Sequence, residues 1–147
     1  TTTLAGQRNL EQALGGDTTI VHVLVAACES SQAVAEHLVT RGADPSEREQ
    51  VWIVGEFGSL DEKLERAGYH TYPTSADEIR EAFGIAPVPL LVVYERDGEA
   101  VLYAGGYSPQ RPTRPEDVRV AAIVSAARAG KSPTPFPLHR CSDGTRA

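Results

Sequence analysis

The sequence has 147 residues, 41% of them hydrophobic and 23% charged, with a net charge of −6. At about 150 residues per domain this predicts one globular unit with a sizeable core, and the acidic balance argues against a nucleic-acid partner, which calls for a basic surface. Two cysteines, Cys28 and Cys141, are too few for a disulfide scaffold and lack the clustered spacing of a structural zinc site, although they could form one redox pair. The longest apolar run, Ile20 to Cys28, contains His22 and falls far short of the roughly 18 to 20 residues of a membrane span, which predicts a soluble chain. No methionine occurs, and we read this as removal of an initiator residue or of a longer leader.

In chain order, Leu4, Leu10 and Leu14 predict one short helix ended by Gly15-Gly16. Thr18 to Ala27 is β-branched and almost continuously apolar, the pattern of a strand buried on both faces, and Cys28 ends it. From Ser30 or Ser31 the spacing of Ala33, Val34, Leu38 and Val39 turns helical, with Gly42 as the stop. A polar loop, Asp44 to Gln50, leads to a short strand Val51 to Val54, and then to a helix with Leu60, Leu64 and Ala67 on its apolar face and Gly68 at its end. Tyr69 to Tyr72 is a candidate extended segment. Ser75, with Glu78 three residues on, forms a capping box for a helix through Phe83.

After Ile85-Ala86-Pro87-Val88-Pro89 come a strand Leu90 to Tyr94, the turn Arg96-Asp97-Gly98-Glu99 and a strand Ala100 to Ala104. An Asp-Gly pair between two such runs is a strong hairpin signal. Gly105-Gly106 ends the hairpin. A loop rich in Pro and Arg follows, and then a helix from about Glu116 to Ala129. Lys131 to Ala147, with Pro133, Pro135 and Pro137, reads as an extended tail. The order β-α-β-α then α-β-β-α predicts an α/β fold, with a central mixed sheet flanked by helices over residues 1–130 and a Pro-rich C-terminal tail over 131–147.

Two segments resemble the thioredoxin-like superfamily. Thr19 to Ala27, with Cys28-Glu29-Ser30-Ser31, looks like the strand, redox motif and helix of that family. Phe83-Gly84-Ile85-Ala86-Pro87-Val88-Pro89, followed by Leu90 to Tyr94 and Asp97-Gly98, is similar to its second motif, the more specific of the two. The resemblance covers roughly residues 17 to 130. It implies a thioredoxin-like fold, a reactive Cys28, and a cis peptide bond before Pro89, with Pro87 as the competing position. It also implies that Val88 and Pro89 form the backbone platform for substrate, with Ala27 beside it. The chain departs from the family where Ala27 replaces a tryptophan and Ser31 replaces the second cysteine. The motif is therefore Cys-x-x-Ser, and Cys28 could attack a disulfide without a local thiol to resolve it. His22 stands where thioredoxin has a buried carboxylate that relays protons. An imidazole could serve there, or it could simply be a histidine satisfied inside a sheet.

At a helix N-terminus the thiolate of Cys28 would be favoured, with the Glu29 charge opposing. Ser30 and Ser31 could donate to the sulfur or cap the helix. Cys141 has two readings. Its tail folds back and Cys141 resolves Cys28, or the tail is free and Cys141 does nothing. Phe136 and Leu138 between the prolines favour docking, because such apolar side chains would be wasted on a free tail. A site for a soft metal such as Cu(I), built from His139, Cys141 and Cys28, lacks a full ligand set, so no metal or other cofactor is expected. Arg111, Arg114 and Arg119 form a small basic patch, and His37 and His70 have no evident partners.

The expected activity is thiol-disulfide oxidoreduction or isomerisation through Cys28, with Ser31 and Pro89 in the site and Cys141 as possible resolver. Protein or small-molecule thiols and disulfides are the expected partners, bound in extended form at a strand edge. The alternative is a redox-inactive thioredoxin-fold module for binding or assembly. Two cysteines in a site-and-tail arrangement suit an extracytoplasmic enzyme slightly better than a cytoplasmic one.

Overall fold

The computed structural model describes residues 19–43, 48–95, 100–131 and 134–139. The predicted N-terminal helix and the Asp97-Gly98 turn fall outside them. β1 (Thr19–Val25) is apolar on both sides because both are covered. Ile20 and Leu24 face a larger core, while Val21 and Val23 face a smaller one. β1 lies at the centre of a five-stranded mixed sheet of order β3-β2-β1-β4-β5. It pairs in parallel with β2 (Arg48–Val54) and antiparallel with β4 (Leu90–Tyr94). The edges are β3 (His70–Thr74), parallel to β2, and β5 (Val101–Gly105), antiparallel to β4.

Among the described residues four helices cover the sheet. α1 (Glu29–Arg41) supplies Val34, Ala35 and Leu38 to the larger core, α2 (Ser59–Arg66) supplies Leu64, and α4 (Val120–Arg128) supplies Val120, Ile123, Val124 and Ala127. α3 (Ala76–Phe83) closes the smaller core with Ile79 and Phe83, the latter edge-on to Trp52. Its predicted capping box is present. The Ser75 hydroxyl accepts from the Glu78 N–H at 3.1 Å and the Glu78 carboxylate accepts from the Ser75 N–H at 3.1 Å.

The structure corrects three element boundaries. β2 begins at Arg48 rather than Val51. The polar residues Glu49 and Gln50 read as loop, yet both are buried with partners, and the Trp52 indole N–H donates to Gln50 Oε1 at 2.7 Å. The helix expected from Glu116 is a 3₁₀ turn, Pro115–Asp117, and α4 starts only at Val120. The Asp117 carboxylate holds that turn by accepting from the N–H groups of Thr113 and Arg114, each at 3.1 Å. Finally, α1 begins at Glu29, so that Cys28 is its N-cap residue and the two serines lie inside the first turn instead of capping it. Among the described residues no helix is long and apolar enough to cross a membrane.

Candidate active site at the Cys28 end of the sheet

Cys28 sits where β1 hands over to α1, with φ −97° and ψ 126°. Its N–H donates back to Val25 O at 2.9 Å, and its carbonyl accepts the first helical bond from the Gln32 N–H at 3.1 Å. The residue is fully buried, while its neighbour Ala27 is exposed. The sulfur is held in a disulfide; Cys141 lies outside the described residues. A disulfide sulfur carries no hydrogen, so the Ser30 hydroxyl, 3.1 Å away, is the donor and the sulfur the acceptor. Ser31, the residue singled out from the motif, is fully buried, and its hydroxyl accepts the Val25 N–H at 2.9 Å. It ties the first turn of α1 to the end of β1.

Strand register places the second motif at the same end of the sheet. Val23 of β1 stands opposite Leu90, so Val88 and Pro89 precede β4 at the end of the sheet where β1 runs into Cys28. Both are buried. The expected cis bond before Pro89 is not found, nor one before Pro87: no cis peptide bond occurs among the described residues. Trans is the intrinsically preferred isomer of an X-Pro bond, by about 0.5–1 kcal/mol.

The tail docks over residues 134–139. Gly106 N–H donates to Phe136 O at 2.9 Å in an antiparallel bridge beyond the end of β5. The Phe136 N–H donates to the Tyr103 hydroxyl at 3.0 Å, and that hydroxyl donates in turn to Gly106 O at 2.7 Å. The Phe136 ring packs on the larger core, as the spacing of apolar residues between prolines predicts. Gly105 and Gly106 make this approach possible. A Cβ on Gly105 would lie 2.8 Å from Pro135 Cβ, and one on Gly106 would overlap the Pro137 carbonyl. The sequence shows Gly105-Gly106 only as the end of a hairpin. The signal for the cradle is the pairing of two glycines with a distant Pro-Phe-Pro, which no local pattern links. His139 Nε2 lies 3.4 Å from Ser108 O. Among the described residues no three His, Cys, Asp or Glu side chains form a group that could hold a metal.

His22 is satisfied inside the sheet. Fully buried, it meets Glu49 Oε2 through Nε2 at 2.9 Å and the Tyr107 hydroxyl through Nδ1 at 2.8 Å, with its ring stacked on Tyr107. With the proton on Nε2 the imidazole donates to the carboxylate and accepts from the phenol. The Tyr107 hydroxyl also donates to Leu90 O at 3.3 Å. Arg41 Nη1 reaches both oxygens of Glu49, at 3.2 and 3.1 Å, and the Tyr69 hydroxyl at 3.2 Å; the latter donates to Leu38 O at 2.8 Å. Burial works against the Arg41 charge, but the Glu49 carboxylate and the Tyr69 hydroxyl outweigh it and raise the pKa of the guanidinium. Burial, then the nearby Glu49 charge, push the Tyr107 phenol well above its ordinary value and keep it neutral. His37, which showed no partner in the sequence, meets Pro115 O through Nδ1 at 2.9 Å.

No protein-family model and no curated protein sequence matches the chain. Solved structures do. A hypothetical protein from Sinorhizobium meliloti 1021 aligns with a TM-score of 0.61 at 19% identity, over 94% of this chain and 81% of that one. A secreted disulfide oxidoreductase of Mycobacterium tuberculosis, homologous to E. coli DsbE, aligns with a TM-score of 0.58 at 16% identity, over 78% of this chain and 85% of that one. StoA from Bacillus subtilis aligns with a TM-score of 0.52 at 13% identity, over 75% and 84%. At such identities the likeness is one of fold: this chain has the α/β architecture of thioredoxin-like structures, and one of these neighbours, the Mycobacterium tuberculosis protein, is a disulfide oxidoreductase.

Proposed function

We propose that the protein is a thiol-disulfide oxidoreductase working through Cys28 with Cys141 as its resolving partner. The observation that carries this reading is Cys28 itself: a half-cystine at a helix N-terminus, reached by one hydroxyl donor, in a chain whose only other cysteine is Cys141. The helix N-terminus and the Ser30 hydroxyl both favour a thiolate once the disulfide opens. That thiolate attacks a substrate disulfide R–S–S–R′, forming Cys28–S–S–R and releasing R′S⁻. Cys141, as thiolate, then attacks the Cys28 sulfur, forms the Cys28–Cys141 bond and releases RS⁻, so that the substrate gains the two electrons that the two cysteines lose. Val88 and Pro89, buried at the same end of the sheet, back the site, and Ala27 supplies its exposed rim.

A mixed disulfide between glutathione and a peptide is a suitable probe. Wild-type protein reduces it with turnover in the presence of a thiol reductant, Cys28→Ser is inactive, and Cys141→Ser accumulates a covalent Cys28–glutathione adduct visible by intact mass. Turnover undiminished in Cys28→Ser would falsify the reading. Normal turnover in Cys141→Ser, with no adduct, removes the resolver alone.

A further inference from the structure

The geometry points to Gly105, Gly106 and Tyr103 as positioning residues for resolution: they clamp the Pro135-Phe136-Pro137 segment on the edge of the sheet and thereby fix where the C-terminal thiol is delivered. This rests on the reading of Cys28 and Cys141 as an exchanging pair.

Leu91 stands opposite Gly105 across β4 and β5, and Val23 stands opposite Leu90 across β1 and β4. Gly106 therefore lies at the same end of the sheet as Pro89 and the Cys28 turn. Strands are spaced about 4.8 Å apart, so the strap on Gly106, three spacings from β1, runs roughly 14 Å from it. From Phe136 to Cys141 there are five residues, which span at most roughly 17 Å when extended. Five extended residues counted from the docked Phe136 are therefore long enough to cross that spacing, with little slack.

The clamp is also built, as distinct from a casual contact. The Tyr103 hydroxyl makes two bonds, accepting from the Phe136 N–H and donating to Gly106 O, and so locks strap and edge together through one atom. The Gly106 N–H makes the third bond, to Phe136 O. Both glycines lie where a methyl group would collide with the strap, at Pro135 and at the Pro137 carbonyl. Their use here is close approach of two backbones, and neither is among the glycines with positive φ. Phe136 adds an apolar anchor on the core.

With the strap docked, the tether that carries Cys141 is five residues long, counted from Phe136. With the strap released it is thirteen, counted from the end of α4 at Arg128. Effective concentration falls as about the three-halves power of tether length, so release lowers the intramolecular equilibrium constant about fourfold. Loss of the preset direction of the tail adds to that.

The test uses the full chain equilibrated in glutathione redox buffers, with the Cys28–Cys141 disulfide quantified by intact mass after acid quench and alkylation. Hydrogen exchange at Phe136 and Gly106 follows the strap. Gly106→Ala is expected to lose amide protection at Phe136 and to shift the midpoint towards the reduced form by at least fourfold in equilibrium constant. Phe136→Ala and Tyr103→Phe, which leave both glycines in place, are expected to shift it in the same direction. Release of the strap with an unchanged equilibrium constant overturns the inference and leaves the oxidoreductase reading standing, as does full protection of Phe136 in all three variants. Failure of the wild-type pair to exchange with glutathione at all overturns the oxidoreductase reading itself, a result read on wild-type protein before any strap variant is made.

Discussion

His22 and Cys28 lie on one short stretch of chain, are both completely buried and both carry chemistry, yet their surroundings differ in kind. His22 is bonded to the buried Glu49 of β2 and the buried Tyr107, and Glu49 is held in turn by Arg41 of α1, which is partly exposed. The Cys28 sulfur has a hydroxyl from the adjacent turn and a disulfide bond, which in the proposed function a thiol breaks. The contrast teaches that burial alone does not mark a functional group. What separates the two is whether the groups satisfying the buried atom can leave. A carboxylate held by a guanidinium and an imidazole with 0% of its side chain exposed has nowhere to go, and its removal would leave two charged or polar partners stranded.

The comparison is broken most severely at Glu49. Glu49→Ala is expected to destabilise the fold by about 3–5 kcal/mol, because Arg41 and His22 lose their common partner in the interior. The midpoint of denaturant unfolding should fall with the slope unchanged, and Cys28 in the molecules that remain folded should be reduced by glutathione at the wild-type rate. A loss of stability under 1 kcal/mol would mean that the cluster is wet and weak. A rate of reduction that fell along with stability would join the two regions and remove the distinction drawn here.

Ser30→Ala acts on the other side of the comparison and is smaller. The hydroxyl that donates to the sulfur at 3.1 Å stabilises thiolate as it leaves, and one such bond is worth about 1 kcal/mol. Attack by glutathione that expels Cys28 should slow by about fivefold, while the unfolding midpoint of the reduced protein stays within about 0.5 kcal/mol of wild type. An equal effect on stability and on rate would make Ser30 a structural residue like those around His22.

The sequence made the frame of this molecule readable and left its two clusters largely hidden. Apolar runs and helical spacing locate β1, β4, β5 and the later half of β2, with the capping box at Ser75 and the junction at Cys28, because each rests on local preference. Glu49 was misread as loop because polarity was taken for exposure; its partners come from α1 and β1, and only the parallel pairing of β1 with β2 brings them together. The Gly105-Gly106 cradle escaped for a related reason. Its meaning lies in a segment about thirty residues away, and a glycine needed for close approach looks in sequence like a glycine that ends a strand. Phe136 was legible, since an aromatic residue between prolines has no use in solvent. The Pro89 isomer was implied by family resemblance alone, and there the physics of the X-Pro bond prevailed.

The smallest expected effect separates His22 from its neighbour His37 on α1. His37 Nδ1 is bonded to Pro115 O, whereas its Nε2 is buried with no hydrogen-bond partner. A second proton would put a donor where there is no acceptor. Burial is the main reason its pKa is lowered from 6.5; the Pro115 carbonyl pulls the other way, and the charges of Arg41 and His22 add to the lowering. With the folded-state pKa below the unfolded one, the unfolded chain binds more protons in the interval between them. The contribution is therefore complete above about pH 6.5 and is lost as pH falls through the folded-state value. Asp117, whose carboxylate is held below 3.8 chiefly by the Thr113 and Arg114 N–H groups, titrates in a separate, more acidic window. Between pH 7 and pH 5 wild-type protein should thus lose more stability than His37→Gln, which keeps a donor for Pro115 O and has no proton to gain. Equal losses in the two proteins, measured by urea unfolding at each pH, would show that His37 gains its proton as freely in the folded chain as in the unfolded one.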